Sequence, residues 1–197
     1  HLKKLYQNHD FDIIFLGETF LNSSFDLDLN ELLIDEYTIV RADHPLNVRR
    51  GGVCIYYKTC LPLRVLNFQK LRECLFFEIE INDKKLIFSV LYRSPSQSSE
   101  EFAQFLENLE SDLNEASLKN PFSITILGDF NAHCSNWWID DRTTHEGLQI
   151  DSLTSFYGFH QIICEPTHIV YDSLSCIDLI FTTAPNFITR SGVYPTL

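Results

Sequence analysis

The sequence predicts an α/β or α+β sandwich, a single domain whose β-sheets are covered by helices. Three observations lead there. Short apolar segments with strand periodicity recur along the chain, two of them face each other across a hairpin-like turn, and an amphipathic helical stretch runs directly into an apolar strand. With 197 residues, 45% of them hydrophobic, the chain can bury a substantial core. No internal repeat or low-complexity linker divides it, so residues 1–197 read as one domain.

The elements follow in order. Leu2, Leu5 and Tyr6 have helical spacing and are expected to close a helix before Asn8 and Asp10. Residues 11–16 form a nearly continuous apolar strand that ends in Gly17-Glu18-Thr19. Residues 21–36 are acidic and irregular and are expected at the surface. A short strand over 37–42 leads to a polar loop with Pro45, Arg49 and Arg50, then a Gly51-Gly52 turn and an alternating strand over 53–58. Strands over 75–81 and 84–92 flank Asn82-Asp83, a two-residue hairpin loop. Ser98 and Glu101 fit a capping box. Phe102, Phe105, Leu106, Leu109 and Leu113 then make the apolar stripe of a helix that Asn120-Pro121 ends. After the next strand, a weaker helix is expected over 146–157, with Leu148, Leu153 and Phe156 inward and Gly158 as its stop. Residues 159–164 and 175–182 read as strands and 165–173 as a loop.

The most informative stretch is 122–131, an apolar strand that runs into Gly128-Asp129-Phe130-Asn131. Ile124 and Ile126 point one way and Thr125 and Leu127 the other, as in a strand covered on both faces. Asp129 and Asn131, two apart, share a face if the backbone stays extended. A carboxylate beside a carboxamide at a strand end suits a phosphate ester and an attacking water, the acid handling a proton and the amide holding an oxygen. A plain Gly-Asp turn would look the same in isolation. Glu18 follows Gly17 in the same grammar, so the two strands could bring Glu18 and Asp129 together at one sheet edge. Asp178, on an otherwise apolar segment, is costly unless it is hydrogen-bonded or paired. His133 and Cys134 lack metal-ligand spacing, and Trp137 and Trp138 suit a core or loop anchor better than a base-stacking role.

Composition narrows the function. The formal net charge of −12 argues against a protein that simply coats nucleic acid. No apolar run is long enough to span a membrane and no signal peptide opens the chain. The six cysteines contain no Cys-x-x-Cys pair, which argues against zinc and for a reducing, intracellular setting, nuclear or cytoplasmic. A polar start and the absence of any Met suggest a fragment of a longer polypeptide.

Glu18 after an apolar strand, Tyr92 before Pro95, Gly128-Asp129-x-Asn131 and Ser175-x-Ile177-Asp178 occur in an order that resembles the endonuclease/exonuclease/phosphatase superfamily. The set is most similar to the apurinic-like endonuclease domain of LINE-type non-LTR retrotransposon polyproteins. Arg41-Ala42-Asp43, Arg49-Arg50-Gly51-Gly52-Val53, Glu165-Pro166-Thr167-His168 and Ile177-Asp178-Leu179-Ile180-Phe181-Thr182 add to the likeness. It implies a DNase I-like fold, a four-layer sandwich of two mixed β-sheets flanked by helices. It also implies a divalent-metal-dependent DNA endonuclease that nicks target DNA for target-primed retrotransposition. By resemblance, Glu18 is the metal ligand, for Mg²⁺ with Mn²⁺ as a substitute. Asp129 orients or deprotonates water, Asn131 holds Asp129 or the phosphate, Tyr92 contacts the phosphate, and Asp178 orients a histidine. Arg49, Arg50 and Arg93 are candidates for DNA phosphates. The implied partners are DNA and a downstream reverse transcriptase domain, with no membrane and no small-molecule cofactor. The family's first strand, with an Asn, and its closing Ser-Asp-His-type motif are not found in these residues, so the fragment itself is expected to be nearly inactive. A phosphomonoesterase or phospholipase of the same superfamily, or a catalytically dead interaction module, are the alternatives.

Overall fold

The structure is a computed structural model that describes residues 10–21, 32–44, 50–68, 70–139, 142–170 and 173–194. The helix expected at Leu2–Tyr6, most of the acidic 21–36 segment and Arg49 lie outside the described residues. Three strands, β1 (Ile13–Gly17), β2 (Tyr37–Ala42) and β3 (Val53–Lys58), form an antiparallel sheet in the order β1-β3-β2. A six-stranded sheet is built from β4 (Leu63–Leu66), β5 (Cys74–Ile81), β6 (Lys84–Tyr92), β7 (Ser123–Asp129), β8 (His160–Gln161) and β11 (Asp178–Thr182), in the order β4-β5-β6-β7-β11-β8. A short hairpin, β9 (His168–Val170) and β10 (Ser173–Ser175), stands apart from both. Helix α1 (Ser99–Leu118) crosses from β6 to β7, and α2 (His145–Phe156) follows β7.

Strand alternation distributes these elements into layers. Ile13 and Phe15 of β1, Val40 of β2, and Val53 and Ile55 of β3 meet Phe77, Phe88, Val90 and Tyr92 of the larger sheet in one core between the sheets. The alternate residues Ile14, Ile39, Cys54 and Tyr56 face outward and pack with Ile34. On the far face of the larger sheet, Phe76, Ile87, Leu91, Ile124 and Ile126 pack against Phe102, Phe105, Leu109 and Leu113 of α1 and Ile150 of α2. The architecture is thus α+β with two main sheets. The larger sheet is mixed through its one parallel pair, β6–β7; the smaller is antiparallel throughout its described strands.

Local chemistry accounts for most boundaries. Asn82 and Asp83 both adopt positive φ, 51° and 60°, as a type I′ hairpin loop demands, and close β5 onto β6. Ser98 accepts from the Glu101 N–H at 3.2 Å while Glu101 accepts from the Ser98 N–H at 2.7 Å, the reciprocal capping box that starts α1.

Several expectations are corrected. Only His160 and Gln161 of the 159–164 segment join the sheet; Phe159 and Ile163 are apolar because they fill the core under α2. The segment 165–173 is not all loop, since it contributes β9 and part of β10, and the strand expected from 175 starts at Asp178. The strand β4 had no clear signature. The helix α2 turns a different face inward: Gly147, Ile150 and Thr154 are buried, Leu153 is half-buried, and Leu148 and Phe156 are 52% and 80% exposed. The reason is a close backbone approach. A Cβ on Gly147 would lie 1.9 Å from the His133 carbonyl oxygen, so the helix is seated on its glycine. Asp151 reinforces that orientation by accepting from Trp137 Nε1 and Asn136 Nδ2, each at 2.8 Å.

This packing sets an expected contrast. Leu109→Ala, at a fully buried position of α1, should lower stability by about 2–5 kcal/mol, whereas Phe156→Ala should change it by no more than about 0.5 kcal/mol. Urea unfolding midpoints of the two variants measure both.

Candidate active site

The centre of the larger sheet brings three of the singled-out residues into one row. In the parallel β6–β7 ladder Tyr92 lies opposite Asp129, and in the antiparallel β7–β11 ladder Asp178 lies opposite Asp129. All three stand at the same end of the sheet because β7 finishes where β6 finishes and β11 begins. Gly128 makes this possible. A Cβ there would sit 1.9 Å from the Leu91 carbonyl oxygen, so any side chain would force β6 and β7 apart just before the site. The smaller sheet supplies the fourth group. Glu18 follows β1 with φ 48°, and its carboxylate oxygen accepts a 3.1 Å hydrogen bond from the Tyr92 hydroxyl, across 74 residues of sequence.

Asn131 holds Asp129. Its backbone N–H donates to Asp129 Oδ1 at 2.9 Å and its side-chain amide to Oδ2 at 2.8 Å, with a second amide bond to the Arg93 carbonyl at 2.9 Å. Both carboxylate oxygens are therefore oriented before any ligand arrives. The backbone at Asn131 has φ 46°, a conformation that Asn tolerates better than most residues. Thr167 does similar work at Asp178. Its hydroxyl oxygen accepts from the Ile177 and Asp178 N–H groups at 3.1 and 3.0 Å, and its hydroxyl hydrogen-bonds the Asp178 carboxylate. His168 lies close enough to Asp178 to attract its charge. The Glu165–His168 motif held the signal for both residues, although Thr167 was not singled out within it.

The electrostatics follow from this crowding. Burial, then the neighbouring charge of Asp178, push the Asp129 carboxyl up to about 7, with Glu18 adding to the rise and the Asn131 hydrogen bonds opposing it. Asp178 is likewise raised, first by partial loss of water although the residue keeps solvent-exposed surface, while Thr167 and His168 pull it down. Burial and the Glu18 carboxylate hold the Tyr92 phenol well above its ordinary range, so it remains a donor. Among the described residues no Lys or Arg forms an ion pair with Glu18, Asp129 or Asp178.

Whether these groups could hold a divalent cation turns on their chemistry. Among the described residues no three His, Cys, Asp or Glu side chains form a ready-made metal cage. The acidic side chains offer oxygen donors, and the Asp129 carboxyl is raised first by burial and then by the facing Asp178 charge. Carboxylate oxygens of this kind are compatible with a hard divalent ion bound by one or two carboxylates and completed by water or phosphate oxygens, and Glu18 and Asp129 are the residues that could hold one.

The arginines divide. Arg50 is exposed and lines a groove of about 690 Å³ beside Tyr92, together with Lys70 and Arg72. Arg93, expected to face DNA phosphates, is instead buried. Its guanidinium donates to the Phe130 and Asn131 carbonyls, to the Ser94 carbonyl at 3.3 Å and to Gln97 at 3.2 Å, over the ring of Phe102. Its donors are spent on holding the turn after Asp129. Trp137 is also buried, edge-on to Phe181 at 5.6 Å.

The profile of the Endonuclease/Exonuclease/phosphatase family matches residues 1–197. Among solved structures, the endonuclease domain of TRAS1, a telomere-specific non-LTR retrotransposon, is similar with a TM-score of 0.69 and 16% identity, over 92% of this chain and 77% of that one. An AP endonuclease from Leishmania major is similar with a TM-score of 0.68 and 13% identity, over 93% of this chain and 73% of that one. A mannosyl-6-phosphatase from Bacteroides thetaiotaomicron is similar with a TM-score of 0.62 and 15% identity, over 93% and 75%. At these identities the likeness is one of fold. No curated protein matches the chain.

The raised Asp129 carboxyl has a testable sign. Its folded value lies above the ordinary 3.8, so without metal it favours the folded state most at low pH and loses that contribution as pH rises from about 4 through about 7. Carboxyl-carbon NMR should show Asp129 titrating near 7, and Asp178→Asn should move that inflection down by removing the facing charge. An unmoved inflection in the variant would mean that the two carboxylates are not coupled.

Proposed function

Since this chain belongs to the Endonuclease/Exonuclease/phosphatase family, we propose that it is the nuclease part of a non-LTR retrotransposon polyprotein and nicks DNA by hydrolysing a phosphodiester. The observation that carries this reading is the row Tyr92–Asp129–Asp178, closed by Glu18 from the other sheet. Asp129, held through both oxygens by Asn131, takes a proton from the attacking water; a carboxyl near 7 is suited to that exchange at neutral pH. The Tyr92 hydroxyl donates to a phosphate oxygen when substrate displaces or shares its bond to Glu18. Asp178 would orient a histidine and so select its tautomer. Glu18 would hold Mg²⁺ or Mn²⁺, which when bound would supply positive charge for the phosphate oxygens.

Two features favour a polynucleotide over a small phosphomonoester. The groove beside Tyr92 sets Arg50, Lys70 and Arg72 against the two carboxylates Glu73 and Glu101, a slight local excess of positive charge on a chain whose net charge is −12, and those cations would suit neighbouring phosphates. The TRAS1 domain is a fold relative whose name carries the same activity. The reverse transcriptase partner, the nuclear or cytoplasmic setting and the single-domain reading of residues 1–197 belong to the same proposal. No helix among the described residues is long and apolar enough to cross a membrane.

Supercoiled-plasmid nicking tests the activity, using the 197-residue chain beside a form extended at both ends. With Mg²⁺ present the extended form should nick, EDTA should stop it, and Asp129→Asn should lower the rate by about 10²–10⁴-fold, the usual share of a general base. Hydrolysis of a small sugar phosphate without plasmid nicking would replace this reading with a phosphatase. Unchanged nicking by Asp129→Asn would remove Asp129 from its role.

A further inference from the structure

Glu73 lies outside every motif singled out in the sequence, in the irregular stretch between β4 and β5, yet it touches both halves of the candidate site. Its backbone carbonyl accepts from the Tyr92 N–H at 3.0 Å. Its carboxylate oxygen accepts from the Gly52 N–H at 2.7 Å. The glycine pair is shaped around that carboxylate: a Cβ on Gly51 would sit 2.0 Å from the same oxygen. The second carboxylate oxygen lies 3.8 Å from His44 Nε2. From the glycine pair the connection continues to the acid of the smaller sheet. The Gly52 carbonyl accepts from the Thr19 N–H at 3.1 Å and the Gly51 carbonyl from the Phe20 N–H at 3.0 Å, the two amides that directly follow Glu18.

We infer that Glu73 is a positioning residue, a clasp that fixes Glu18 against Tyr92 by tying the Gly51-Gly52 corner to the end of β6. The inference rests on the reading of Glu18 and Tyr92 as site residues and extends it to what holds them. Two backbone features support it. Glu18 and Glu73 both have positive φ, 48° and 52°, a conformation that costs a non-glycine residue free energy and persists only where the surroundings impose it. Here each is pinned by bonds to its neighbours: Glu73 through Tyr92 and Gly52, Glu18 through Tyr92 and the amides that follow it. Glu73 sits between the carboxylate site and the groove that holds Arg50, Lys70 and Arg72, and its charge adds to the rise at Tyr92. A fourth carboxylate near Glu18 and Asp129 adds negative charge, and as a hydrogen-bond acceptor for the Gly52 N–H it has a defined use there.

The test compares Glu73→Ala, which removes the acceptor, with Glu73→Gln, which keeps an oxygen acceptor and drops the charge. Two readouts are taken on the 197-residue chain: amide hydrogen exchange at Thr19 and Phe20, and Mn²⁺ affinity by water-proton relaxation. In Glu73→Ala the two amides should exchange at least about 10-fold faster and Mn²⁺ should bind about 10–100-fold more weakly, the range for residues that orient a ligand. Amides in the centre of β5 and β6 should keep their protection. Glu73→Gln should restore both readouts to near wild type. Unchanged Thr19 and Phe20 exchange in Glu73→Ala would overturn the clasp. So would equal losses in both variants, which would assign the effect to charge, or lost protection with full Mn²⁺ affinity, which would make Glu73 merely structural. Should the wild-type chain bind no Mn²⁺ while Glu73→Ala still frees the two amides and Glu73→Gln protects them, the clasp stands and the metal reading of Glu18 fails.

Discussion

The pairing of β6 with β7 is the constraint on which the rest of this structure depends. Among the described strands it is the one parallel contact in the larger sheet, and the long helix α1 exists in part to make it, since parallel neighbours need a crossover. The stripe of α1 that buries Phe102, Phe105, Leu109 and Leu113 holds the crossover against the same two strands. At the end of the ladder Gly128 lets the backbone pass the Leu91 carbonyl without a clash. Tyr92 and Asp129 then emerge side by side, and β11 adds Asp178 on the other flank.

That arrangement gathers negative charge at the edge of a well-packed sandwich. Like charges placed directly opposite in a sheet repel, and Asp129 and Asp178 are such a pair. The chain tolerates them through hydrogen bonds that fix orientation, from Asn131 to Asp129 and from Thr167 to Asp178, without removing the charge. Arg93, which directly follows Tyr92, spends its guanidinium on the backbone carbonyls of Phe130 and Asn131 and forms no ion pair with these carboxylates. A site built this way is stabilised less by its own groups than by the cores on either side of the sheet. It is suited to receive compensating charge from outside, which is the physical content of the metal reading.

Two sheets meeting face to face also explain why the site is composite. The core between them, centred on Val53, Ile55, Phe77 and Val90, sets the distance between the ends of β1 and β6. Only with that core in place can Glu18 and Tyr92 form one hydrogen bond. The Glu73 clasp works along the same seam, linking the smaller sheet's Gly51-Gly52 corner to the last residue of β6.

What the sequence determined by itself was local. Alternation identified β2, β3, β5 and β6, the Ser98/Glu101 pair marked the start of α1, and Asn82-Asp83 the hairpin, because each depends on neighbours within a few residues. The glycine-then-acid endings of β1 and β7 named Glu18 and Asp129 as site candidates for the same reason, and the order of motifs named Tyr92, Asn131 and Asp178. Tertiary structure decided the rest. It chose the Gly147 face of α2 over Leu148 and Phe156, because a backbone approach from His133 outweighed apolar periodicity. It buried Arg93, whose donors are claimed by carbonyls 37 and 38 residues away. It brought Glu73 to Gly52 across 21 residues and Tyr92 to Glu18 across 74. Such contacts leave no periodic trace in sequence, since they arise only when two separately formed sheets pack and their ends come to lie together.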